Sequence, residues 1–131
     1  MSERFLIRIP AHGKPQRIAF PEKAISEELL AELLHTDVTE RMRVPAEPEG
    51  YPEEAALCYF IDARGGEREL PANFIGTCFY HTGCPIYGDL LLAACPVSGA
   101  GLSGFSAETA GLLENWLSTQ FRDYLYIPEN L

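Results

Sequence analysis

Apolar and polar positions alternate from Arg4 to Ile9, with Phe5, Ile7 and Ile9 on one face and Leu6 and Arg8 on the other. A period of two marks a half-buried strand. Pro10 ends it, Gly13-Lys14-Pro15 supplies a turn, and Gln16 to Phe20 reads as the returning strand of an N-terminal hairpin. The period then lengthens. Over Pro21 to His35, Leu29, Leu30, Leu33 and Leu34 form one stripe at helical spacing. Ser26 is the expected N-cap, Glu27 and Glu28 sit in the first turn where the helix dipole favours carboxylates, and Ile25 is placed to staple onto Leu30. His35 suits the C-terminal end. Alternation returns from Val38 to Val44, with Val38, Met42 and Val44 on one face and Arg41 and Arg43 on the other.

Pro45 to Pro52 is a loop of Pro, Glu and Gly. Ala55 to Asp62 reads as a strand buried on both faces, followed by a turn at Ala63-Arg64-Gly65-Gly66 and a short return strand from Glu67 to Leu70. Pro71 opens a short helix or turn. Ile86 to Cys95 is a second long apolar strand, interrupted by Gly88-Asp89. Pro96 to Gly104 reads as a loop, and Ser106 caps a helix reaching Phe121, with Ala110, Leu113, Leu117 and Phe121 in line. The tail, Asp123 to Leu131, carries Tyr124, Leu125, Tyr126 and Ile127. So apolar a segment is expected to add an edge strand, to its own sheet or to a neighbouring copy, which makes a homo-oligomer, a dimer, the expected state. These elements predict one α+β domain over residues 1–131: a small mixed, mostly antiparallel sheet with two helices packed on it.

The balance of 10 basic against 19 acidic residues gives a net charge of -9. That counts against direct nucleic-acid binding through phosphates and against docking on an anionic membrane. No apolar run approaches the roughly 20 residues of a membrane span, and the N-terminus lacks the pattern of a signal peptide. A cytoplasmic location is expected, with Cys58, Cys78, Cys84 and Cys95 as free thiols.

Candidate chemistry is thin. Cys78, His81 and Cys84 carry zinc-ligand chemistry but lack a second ligand pair, so no metal is expected there. The same residues as a thiol catalyst lack an orienting third group, and no catalytic residue is assigned. Gly99-x-Gly101-x-x-Gly104 matches a dinucleotide fingerprint without the βαβ unit that gives it meaning, so no cofactor is expected. Ser98, Ser103 and Ser106 beside it offer hydroxyls for a small anion at a helix N-terminus, against the plainer reading of a flexible connector. Glu47, Glu49, Glu53 and Glu54 cluster in one loop that either is simply solvated or imitates a phosphate backbone. Arg41 and Arg43, with tyrosines such as Tyr87 nearby, offer charge and stacking for a nucleotide, against the plainer reading of a polar sheet face and core tyrosines.

Leu70-Pro71-Ala72-Asn73-Phe74, followed by Pro85-Ile86-Tyr87-Gly88-Asp89-Leu90-Leu91-Leu92, resembles domain-of-unknown-function family 3846, small proteins of bacteria, phages and mobile elements. The resemblance extends in element order over Phe5 to Phe121, and the Cys78 to Cys84 stretch and the tail depart from it. It implies no enzymatic activity. Asn73 suits a turn in which its amide satisfies backbone groups, and Gly88 suits a bulge or a close approach.

The expected function is a non-enzymatic binding protein, phage or mobile-element encoded, that acts on host defence by sequestering a small nucleotide-like ligand through Arg41, Arg43, Asn73, Tyr87 and Ser103. The alternatives are an acidic inhibitor of a host protein that acts as a DNA mimic, and a thiol or metal enzyme at Cys78, His81 and Cys84.

Overall fold

A computed structural model describes residues 4–20, 24–44, 47–51, 55–79, 85–96 and 102–121. The alternating N-terminal segments form β1 (Arg4–Ile9) and β2 (Gln16–Phe20), an antiparallel hairpin in which Leu6 faces Ile18. They are followed by β3 (Ala24–Ile25), α1 (Glu27–Leu33), β4 (Thr39–Arg43) and β5 (Ala55–Asp62). Then come β6 (Ala72–Asn73), α2 (Phe74–Phe79), β7 (Ile86–Tyr87), β8 (Leu90–Pro96), β9 (Leu102–Ser103) and α3 (Ala107–Gln120). The main sheet has seven strands, with the path β2-β1-β8-β5-β4 and β9 joining β8 to β3. β6 and β7 pair as a separate ribbon. Every described pairing is antiparallel.

The α+β architecture is the expected one, and its central strands are buried on both faces. One face carries Ile7, Ile9, Leu57, Tyr59, Leu90 and Leu92, packed with Ala110, Leu113 and Leu117 of α3. The other carries Leu6, Phe60, Leu91 and Ala93, packed with Leu30 and Leu34 at α1. Helices on opposite faces explain why β5 and β8 are apolar at successive positions rather than alternate ones.

The helix ends obey their side chains. The Ser106 hydroxyl accepts from the Thr109 N–H at 3.1 Å, and the Ser26 hydroxyl accepts from Leu29 N–H at 3.1 Å. At the far end of α1, Thr36 N–H donates to Ala31 C=O at 2.9 Å and His35 N–H to Glu32 C=O at 3.1 Å, while His35 has φ 56°. This is the left-handed exit that closes off the last carbonyls of a helix.

Four expectations are corrected. The first helix does not fill Pro21 to His35: α1 begins after Ser26, because Ala24 and Ile25 pair with Ser103 and Leu102 instead. That pairing also puts strand β9 inside the expected loop Pro96 to Gly104. Glu67 to Leu70 is not a return strand. Arg68 N–H and Leu70 N–H bond back to Arg64 C=O and Gly65 C=O, at 3.0 Å each, so the segment is a run of turns. Ile86 to Cys95 is not one strand, since Gly88, at φ 85°, divides it between the two sheets. The tail lies outside the described residues.

Replacing Ser106 with Ala should cost about 1 kcal/mol of unfolding free energy, read from urea midpoints at unchanged slope, because it strips the cap from the longest helix.

Candidate functional site

A short cleft of about 180 Å³ opens beside β4, between the turn after β5 and strand β7. Glu40 and Met42 form one wall, Pro85 and Tyr87 another, and Gly65 and Gly66 the floor of the turn. Asp62 fixes that turn. It is 4 % exposed, and its carboxylate accepts from Arg64 N–H at 2.8 Å, from the Thr36 hydroxyl at 3.0 Å and from the Arg68 guanidinium. Arg68 also donates to the His35 carbonyl at 3.1 Å, tying the exit of α1 to the rim of the cleft. A side chain at Gly65 would put its Cβ 2.8 Å from the Tyr87 carbonyl oxygen, so only glycine lets the turn lie against β7.

Asn73 holds β7 in place from behind. It is 1 % exposed. Its amide donates to Ile9 C=O at 3.0 Å and to Gly88 C=O at 2.9 Å, and its Oδ1 accepts from Gly76 N–H at 2.9 Å, which caps α2. Thr77 continues the junction, donating to Asn73 C=O at 2.8 Å and accepting from Ile86 N–H at 2.9 Å. Both amide hydrogens of Asn73 are therefore spent on backbone.

The residues expected to share one site are dispersed. Tyr87 and Asn73 lie on paired strands, and Tyr87 lines the cleft. Arg41 and Arg43 flank Met42 on β4 and project to the opposite face of the sheet from Glu40 and Met42. Ser103 sits in β9, opposite Ala94 and Ala24. Within the acidic loop, Glu47 accepts from Leu57 N–H at 2.8 Å, while Glu53 and Glu54 lie outside the described residues, as do His81, Cys84 and Gly99 to Gly101. Cys78 is exposed, and among the described residues no three His, Cys, Asp or Glu side chains gather as metal ligands.

Sequence reasoning did not single out Glu40, Met42 or Gly65. Their signal was present as alternation on β4 and as a glycine pair after β5, but only the register between the strands brings them together. It also missed what lies under the two arginines. Arg43 stands opposite Cys58, and the Arg41 guanidinium lies 4.0 Å from the Cys95 sulfur. Burial pushes the Cys58 thiol up to about 12, the neighbouring Cys95 adds to the rise, and Arg41 and Arg43 oppose it. Burial likewise raises the Tyr51 hydroxyl above its usual range.

Comparison with protein-family models, with curated proteins and with solved structures finds no match for the chain. No described helix is long and apolar enough to cross a membrane.

Two outcomes follow from this geometry. Asn73→Ala leaves two buried carbonyls and a helix N–H without their partner and should cost about 3 kcal/mol; Asn73→Asp, which lacks the two donors, should also destabilise, as thermal melts will read. Cys58 stays protonated in the folded chain up to about 12, against 9.0 for a free thiol. Raising the pH across that window ionises the unfolded state first, so stability falls, and Cys58→Ala should flatten the decline measured by denaturant titration.

Proposed function

We propose that the protein is a non-enzymatic binding protein that pairs an extended segment of a partner protein with the outer edge of β4 and seats one side chain of that segment in the Tyr87 cleft. The register of β4 carries this reading. Ala63 N–H bonds to Val38 C=O at 3.0 Å and Val44 N–H to Leu57 C=O at 2.9 Å. Hydrogen-bonded pairs alternate in an antiparallel ladder, so Val38, Glu40, Met42 and Val44 turn their backbone toward β5. Thr39, Arg41 and Arg43 turn their N–H and C=O groups outward, and among the described residues no strand pairs with that edge. An open edge with a side-chain pocket beside it is the arrangement used for strand addition.

Size and charge select the occupant. The cleft, at about 180 Å³, is close to a cavity that holds benzene, roughly 150 Å³, and below the ~300 Å³ at which small-molecule pockets begin. It suits one side chain. Glu40, the Tyr87 ring and the Met42 thioether favour a basic one. On the other face, Arg41 and Arg43 favour acidic residues at the flanking positions of the same segment. The matching partner thus alternates acidic, basic, acidic.

A nucleotide draws less support, because its phosphates would meet Glu40 while the arginines lie across the sheet.

Backbone amide NMR with a synthetic peptide alternating Glu and Lys tests the reading. Thr39, Arg41 and Arg43 amides should shift on titration, and a peptide of equal composition with its charges in blocks should bind at least tenfold more weakly, roughly 1.4 kcal/mol. Glu40→Lys should reduce affinity for the alternating peptide. Unmoved β4 amides with saturating peptide would rule the reading out.

A further inference from the structure

We propose that Cys95 is a modification site for anionic disulfides of the glutathione class, which Arg41 and Arg43 draw to it and which leave a persistent mixed disulfide. The support is a pair of thiols, left unused by the partner reading, beside Arg41 and Arg43. Ala56 pairs with Cys95 and Cys58 with Ala93, so both thiols stand on one face of the sheet, one diagonal step apart. Arg43 is opposite Cys58 on the next strand, and Arg41 reaches over to within 4.0 Å of the Cys95 sulfur. Both arginines are exposed, Cys95 is half-buried and Cys58 is 5 % exposed. An incoming reagent therefore meets two guanidinium groups and one reachable sulfur. Guanidinium groups pair with carboxylates in forked geometry, and glutathione disulfide carries carboxylates on both halves.

The step is a thiol–disulfide exchange. Cys95 gives up its proton, and its sulfur attacks one sulfur of the reagent. A new S–S bond joins Cys95 to that half, the reagent's own S–S bond breaks, and the other half leaves as a thiolate that takes up a proton. No further oxidant is consumed.

One feature keeps the adduct in place. Cys58 is 5 % exposed, and burial holds it as a thiol rather than a nucleophilic thiolate even with Cys95 in side-chain hydrogen-bond reach, so it does not displace the attached group.

The experiment treats reduced full-length protein with glutathione disulfide, with the neutral disulfide of 2-mercaptoethanol and with cationic cystamine, followed by intact mass and peptide mapping. The expected product is one glutathionyl group on Cys95, formed faster than the cystamine adduct at the same sulfur. Arg41→Gln with Arg43→Gln should slow the glutathione reaction at Cys95 by about tenfold and leave the neutral reagent's rate unchanged. Both substitutions are on exposed side chains, and circular dichroism checks that the fold is kept. Mapping by peptide separates Cys95 from the exposed Cys78. Equal rates for the three reagents, labelling confined to other cysteines, or a Cys58–Cys95 disulfide seen as the loss of two hydrogens would each overturn the proposal.

Discussion

The side chain of Asn73 is the junction on which the arrangement of the smaller elements depends. One buried amide bonds to the end of β1, to the corner between β7 and β8, and to the first turn of α2. These segments are distant in sequence, and two further side chains reinforce the meeting: Asp89 accepts from Ala11 N–H at 3.0 Å and Thr77 from Ile86 N–H at 2.9 Å. Burying an amide is costly unless its hydrogen-bonding capacity is met, and here both donors and the acceptor are used. The junction fixes where the main sheet ends and the β6–β7 ribbon begins. It thereby holds Tyr87 against the Gly65-Gly66 turn.

A second constraint is the sharing of the sheet between two helical layers. α3 covers one face and α1 the other, so the strands between them cannot offer a polar face to solvent. Recognition is pushed to the margins. β4 is at one margin of the sheet, with Glu40, Arg41 and Arg43 along it. Charged residues on an edge strand discourage pairing with identical copies, since two such strands side by side bring Arg41 and Arg43 against their own kind. The same charges select for a complementary segment.

Much of the fold was legible because local chemistry and tertiary packing agree. The alternation of Phe5, Ile7 and Ile9, the caps at Ser26 and Ser106, and the doubly apolar strands were readable without any partner element. The errors fall where a partner decides. Ala24 and Ile25 lie just before a good helix cap, yet pair with Ser103 and Leu102 far along the chain. Glu67 to Leu70 lacks a strand to join and curls into turns. For the candidate site, Tyr87 and Asn73 were visible as individual residues, but their roles were not. Which side of β4 faces the cleft depends on the register with β5, so a sequence that shows two arginines cannot say that the wall opposite Tyr87 is acidic.

The position of β8 in the sheet has a consequence for how the protein is made. β8 lies between β1 and β5 and also carries β9, so it contacts more of the sheet than any earlier strand. Residues 90–96 are made well after the β1–β2 hairpin, whose β1 edge has no β8 to pair with until then. The nascent chain must carry that hairpin unpaired through most of its synthesis, and long-range closures of this kind are slow. Pairing of β8, rather than completion of any local element, therefore joins the two halves of the sheet.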